Sequence, residues 1–344
     1  AIHVHPASQA AAEGASVTLT AAATGSPAPT VQWSRNGTII GGATNPTLTI
    51  GGLEPLNSGV YTAAFANVAG TVVSDAAIVG VNTTSKVIGT GSEVGSNIFV
   101  AANGNTFDQV LLSGAAATVT ADAGQITRTS FLDLTDDIVQ IEFSGAGTLS
   151  LVLDSASGPV APAKYNQAVT YLKGHVGVVI VGADETTNVG VFSVGRITAV
   201  NQTLFRSDVT YDGLADIAFI AISSANGKFG GLRAANASFF ATKGITGIYA
   251  PGVQFAGPVF IGDIGAFDQA TPVLILGSAG DTRITGGDLK QENGKAVRVS
   301  GLAQLKFAAG TDSHGTVLAA KTNQARLEQN GVDVTAQIVV NPGP

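Results

Sequence analysis

Val176-Gly-Val-Val-Ile-Val181, Val189-Gly-Val-Phe-Ser-Val194 and Ile217-Ala-Phe-Ile-Ala-Ile222 carry the pattern that decides the fold. Each is a short run of apolar and β-branched residues, too short for a core helix and rich in strand formers. The pattern continues in Ile245–Tyr249, Val259–Ile264, Val273–Leu276, Val297–Val299 and Leu305–Phe307, with Gly, Asn or Asp at the bends. From Ile245 to Val299 the runs begin roughly every 10–15 residues, a period that suits coils stacked one on another. Residues 175–320 are therefore expected to form a right-handed parallel β-helix. A β-sandwich or a propeller fragment is the alternative.

The flanking segments extend this reading. Residues 82–174 form a β-rich domain or the start of the solenoid, entered by the polar link 82–90. Asp137-Ile-Val-Gln-Ile-Glu-Phe143 and Thr148-Leu-Ser-Leu-Val-Leu153 alternate with period two, as half-buried strands do. Residues 321–344 read as a C-terminal hairpin and tail. Ala325–Gln329 and Val332–Thr335 flank Asn330-Gly331, a dipeptide that suits the positive φ of a tight hairpin turn. The apolar alternation from Val332 to Val340 predicts a strand that adds to an edge, either of its own domain or of another subunit.

Composition agrees with strands and excludes several functions. Charged residues make up 12% of the 344 residues, and there are 44 glycines. Surface helices would need far more Lys and Glu. The net charge of −7 comes with no basic cluster, which argues against a nucleic-acid partner. No apolar run reaches the roughly 18 residues of a membrane span. There is no Cys and no Met, and the chain begins at Ala1. That fits a mature secreted chain stabilised without disulfides.

Residues 6–81 resemble the I-set branch of the immunoglobulin family. The resemblance rests on Gly14–Ala21 as strand B, the Gly25-Ser-Pro-Ala-Pro29 turn and Val31-Gln-Trp33 as strand C. It rests also on the hairpin turn Arg35–Thr38 and on Asn57-Ser-Gly-Val-Tyr61-Thr-Ala63 as strand F. It implies a β-sandwich over residues 1–81, a core tryptophan at Trp33 and a corner tyrosine at Tyr61. The family's disulfide cysteines are replaced by Ala21 and Ala63. The short polar link then leads to the expectation of a weakly stable, exposed appendage.

Chemistry is sparse. Four histidines, no cysteine, no nucleophile elbow and no phosphate loop give no catalytic constellation, so no enzymatic activity is expected. Asp208-Val-Thr-Tyr-Asp212-Gly-Leu-Ala-Asp216 resembles the calcium loops of FG-GAP-type repeats. Asp208, Asp212 and Asp216 are the candidate ligands, because Ca²⁺ takes several hard oxygens around a sharply turning glycine. A solvated acidic loop is the plainer reading. Asp133-Leu-Thr-Asp-Asp137 reads as a solvated turn. Asp263, Asp268, Asp281 and Asp288 with Arg283 could line one side of a β-helix as in polysaccharide-degrading enzymes, although each acid also suits a turn. Ala1 and His3 have the spacing that chelates Cu(II), unless Ile2 and Val4 enter the sandwich as a strand.

These features predict an extracellular structural protein, a subunit of a bacterial surface fibre or matrix, that associates with itself. A carbohydrate-binding adhesin module with a glycan partner is the alternative. A β-helix enzyme acting on polysaccharide is the second.

Overall fold

A computed structural model describes residues 1–82 and most of 116–193 and 214–261. Elsewhere it describes strand backbones alone, from Ile98–Val100 to Ile338–Val340. The described residues are strands and turns, with one 3-10 turn at Pro55–Asn57 and no α-helix.

The first 82 residues close a sandwich. One sheet runs in the order Gln9–Ala12, Ala77–Asn82, Gly59–Asn67, Thr30–Arg35, Thr38–Ile39, with Gly70–Val73 also paired to Gly59–Asn67. Val17–Thr20 pairs antiparallel with Thr47–Ile50 on the other side. Alternation along the strands points Leu19, Trp33, Tyr61, Ala63 and Phe65 into one core. Trp33 is fully buried, lies opposite Ala63 in the ladder, and donates its indole N–H to the Asn45 carbonyl at 2.8 Å. Ala21 and Ala63 are both fully buried, so small side chains fill the positions where the family carries its disulfide. The Tyr61 hydroxyl donates to the Asn57 carbonyl at 2.7 Å, as a corner tyrosine does. Asn36 and Gly37 take φ of 47° and 81°, which closes the predicted hairpin turn.

The rest of the chain contributes two larger sheets with an apolar core between them. The ten-stranded sheet begins antiparallel, with Ala116–Val119, Thr148–Leu153 and Val176–Ala183. From Val176–Ala183 onward its neighbours are parallel: Ala215–Ser224, Ala237–Tyr249, Ile264–Ile275, Val297–Ser300, Val317–Ala319 and Ile338–Val340. The eleven-stranded sheet behaves alike. After Ile138–Ser144 and Asn188–Ser193, the strands Gly231–Ala234, Val259–Ile261, Thr282–Gly286, Ala303–Phe307 and Ala325–Gln329 follow in parallel. The chain alternates between the two sheets. The first parallel step in each sheet spans roughly 41 to 43 residues, as in Val176↔Ile217 and Asn188↔Gly231, and each later one advances the chain by roughly 20 to 28, from Val297↔Val317 at the short end to Phe219↔Gly247 at the long end. Between the sheets, Phe229 and Phe255 occupy matching places on paired strands, with ring centroids 5.2 Å apart and edge-on.

At the C-terminus, Ala325–Gln329 and Val332–Asp333 form an antiparallel pair, and the tail strand Ile338–Val340 pairs with Val317–Ala319 of the same chain. Asn330 and Gly331 lie outside the described residues.

The expectation of an exposed appendage is corrected. Val60 and Ile78 of the sandwich pack in one buried cluster with Val179, Val181, Ala218, Phe219, Ala221 and Tyr249 of the ten-stranded sheet. Every described residue of Ala77–Val81 is buried on both faces.

Candidate functional site

Two places bring polar or chemically distinctive groups together. The first is built by Asp133, Thr135, Asp137, Ser193 and Asp216. The turn after Thr127–Leu132 places Asp133, and the start of Ala215–Ser224 places Asp216. Asp133 is fully buried, and its Oδ1 accepts backbone N–H groups from Thr135 at 3.0 Å and Asp137 at 2.9 Å. Its Oδ2 accepts the Asp216 N–H at 3.1 Å. The Thr135 hydroxyl lies 3.0, 3.3 and 3.4 Å from carboxylate oxygens of Asp133, Asp137 and Asp216. Ser193 donates to Asp137 at 3.0 Å. Burial pushes the Asp133 carboxyl up to about 8, and the neighbouring charges of Asp216 and Asp137 add to the rise, while the backbone donors oppose it. At neutral pH this group therefore holds its proton. The cluster ties a turn of one sheet to a strand of the other; Asp133, Asp137 and Ser193 are buried and Thr135 is half-buried.

This corrects the reading of Asp133–Asp137 as a solvated turn. Of the candidate calcium ligands, the structure places Asp216 in this cluster, whereas Asp208 and Asp212 lie outside the described residues. Among the described residues no group of three or more His, Asp or Glu side chains is arranged to hold a metal ion. The side chains of Asp263, Asp268, Asp281, Asp288 and Arg283 also lie outside the described residues. The Ala1–His3 arrangement is taken up by the fold: Ile2–Val4 pairs with Ala22–Ala23, and the Ala1 nitrogen donates to the Thr24 carbonyl at 2.6 Å. His5 accepts the Asp75 N–H at 2.8 Å.

The second place is the seat between the sandwich and the ten-stranded sheet. Along Ala77–Asn82 the residues Ala77, Val79 and Val81 enter the sandwich core, so Ile78 and Gly80 face outward onto the larger sheet. A Cβ on Gly80 would stand 2.2 Å from Val181 Cγ1, so only glycine fits there. On the sheet, ladder partners place Thr118, Ser150, Val179, Ala221 and Tyr249 in one outward row. Phe219 belongs to the next row, between Gly177 and Gly247, and a Cβ on Gly177 would meet its ring at 2.5 Å. A register shift beside Ala218 turns Phe219 outward while Ile217 and Ile220 remain inside. The Tyr249 hydroxyl donates to the Ala76 carbonyl. Sequence reasoning missed this site. The signal was present in Ala77-Ile-Val-Gly-Val81, a strand without polar alternation, which needs both faces covered.

On the sandwich, Ile39, Val68, Val72 and Val73 are exposed, with Val68 91% exposed.

Residues 1–67 match the immunoglobulin domain family. No curated protein sequence matches the chain. Solved structures similar to it include Dpr2 Ig1-Ig2 in complex with DIP-Theta Ig1-Ig3, at 17% identity and a TM-score of 0.24, covering 51% of this chain and 64% of that one. The chain thus spans just under two thirds of that protein's length. An I-band fragment of titin is similar at 16% identity and a TM-score of 0.22, covering 53% and 71%. A second titin fragment gives 13% identity and a TM-score of 0.22, covering 50% and 97%. The N-terminal domain of this chain is immunoglobulin-like.

Proposed function

We propose that this chain is an extracellular structural protein, a subunit of a bacterial-type surface fibre or matrix. Its immunoglobulin-like domain is a protein-interaction or structural module, and the fold alone does not choose between these roles. The observation that carries the fibre reading is the pair of parallel ladders. Strands that alternate between two facing sheets, stepping forward by one coil at a time, suit a right-handed parallel β-helix. Such a stack buries each coil against the next and leaves an edge at its end. The ten-stranded sheet ends, among the described strands, at Ile338–Val340. In this reading a strand of the next subunit adds there, and because the contact is heterologous it propagates. The absence of a membrane-crossing helix among the described residues is compatible with it.

A proline scan over Ile338, Val339 and Val340 tests the connector, since proline removes a ladder donor. Proline at a residue whose N–H points outward should stop elongation, followed by light scattering, in a chain that remains folded. Elongation unaffected at all three positions overturns strand addition.

The exposed apolar residues Ile39, Val68, Val72 and Val73 favour a second reading, an adhesive module that docks a partner through the sandwich.

A further inference from the structure

We propose that the seat of the immunoglobulin-like domain is exchangeable: the domain of one copy occupies the outer sheet face of a second copy. The inference rests on the packing of the seat and stands apart from the fibre reading, which uses the tail. Three observations carry it.

First, the two surfaces are shaped for each other. Gly80 lies directly on Val181, and Gly244 lies against the Asn36-Gly37 turn, where a Cβ would stand 2.7 Å from the Asn36 carbonyl. Any other copy of the chain carries the same complementary pair, so the surface that best fits an uncovered face is the same domain from another molecule. The face cannot stay bare, because Val179, Phe219 and Tyr249 stand side by side on it.

Second, the closed seat leaves polar groups unmet. The hydroxyls of Ser58, Thr118 and Ser150 are buried without a hydrogen-bond partner. Thr118 and Ser150 share the outward row with Val179, and Pro55–Asn57, just before Ser58, contacts their strands. Water satisfies all three when the domain lifts, which offsets part of the apolar area exposed.

Third, residues 83–97 separate Asn82 from Ile98 in sequence, a length whose upper bound is a span of roughly 50 Å. At low concentration the tethered domain returns to its own face. At high concentration, exchange competes.

The chain has no cysteine, so the contact can be read by disulfide capture. The Cβ built on Gly80 stands 3.2 Å from the Val181 Cβ, a few tenths of an ångström inside the roughly 3.5–4.5 Å span of a disulfide, and Val181→Cys removes the methyl that this Cβ would strike. The double variant Gly80→Cys/Val181→Cys should form an internal bridge and run as a monomer. A mixture of the Gly80→Cys/Val181→Ala chain, whose own face still admits the new side chain, with the Val181→Cys chain should give a crosslinked heterodimer. Its yield should rise at least tenfold between micromolar and near-millimolar protein, and far exceed that of either chain oxidised alone. Failure of the double variant to bridge overturns the seat itself. A bridging double variant with no heterodimer in the mixture overturns exchange. Heterodimer no more abundant than the two homodimers shows random collision and also overturns it. None of these outcomes bears on elongation through the tail.

Discussion

Asp133→Asn tests the buried carboxyl at the centre of the acid cluster. The unfolded chain releases the Asp133 proton near its ordinary 3.8, whereas the folded chain holds it to about 8. Between those values the native state binds the extra proton. The group's contribution to stability is therefore fully present below about pH 4 and is lost as the pH rises towards 8. The loss is at most about 1.4 kcal/mol per pH unit, with a ceiling near 6 kcal/mol over the window. Asparagine is neutral throughout and keeps one oxygen for the Thr135 and Asp137 N–H groups. Its amide then faces the Asp216 N–H, leaving a buried donor unmet at a cost of about 1–3 kcal/mol. The variant should be less stable than the wild type at pH 4, cross it near pH 5–6, and be the more stable above. Denaturant unfolding of both proteins from pH 4 to 9 measures the difference, in which titrating groups remote from the cluster cancel. Two curves that run parallel across this range would refute the buried-proton reasoning.

Other perturbations have equally direct readings. Trp33→Ala should destabilise the sandwich by about 3–5 kcal/mol, because a fully buried indole leaves a cavity and no disulfide restrains the rest. Unchanged amide-exchange protection of Gly59–Asn67 would contradict this. Gly177→Ala should cost about 1–3 kcal/mol by overpacking against Phe219, seen as a lowered thermal midpoint, whereas an unaltered midpoint would remove Phe219 from its place over the glycine. If Asp208, Asp212 and Asp216 take up calcium, EDTA should lower the midpoint and Asp212→Asn should abolish that sensitivity. Identical melting with and without EDTA would end the calcium proposal.

Much of the fold was legible because strand signals are local. The Trp33 and Tyr61 motifs, the Asn36-Gly37 turn and the runs at Val176, Ile217 and Val259 each announce themselves within a few residues. Pairing partners do not. Nothing near Val176 specifies that one neighbour is antiparallel and the next parallel, since both leave the same apolar run. The acid cluster was misread for the same reason. Asp133 and Asp216 are 83 residues apart, and only the closure of the two sheets buries them together. The seat could have been inferred from Gly80, whose position between Val79 and Val81 has no turn to explain it. Its cause lies in Val181, a hundred residues away.

The central claim is that the chain builds an assembly. Negative-stain microscopy of native material tests it most directly. The account predicts filaments or a continuous matrix with the immunoglobulin-like domain held against the shaft at one fixed angle. Isolated monomers at every concentration, with no filament and no sheet, would contradict it.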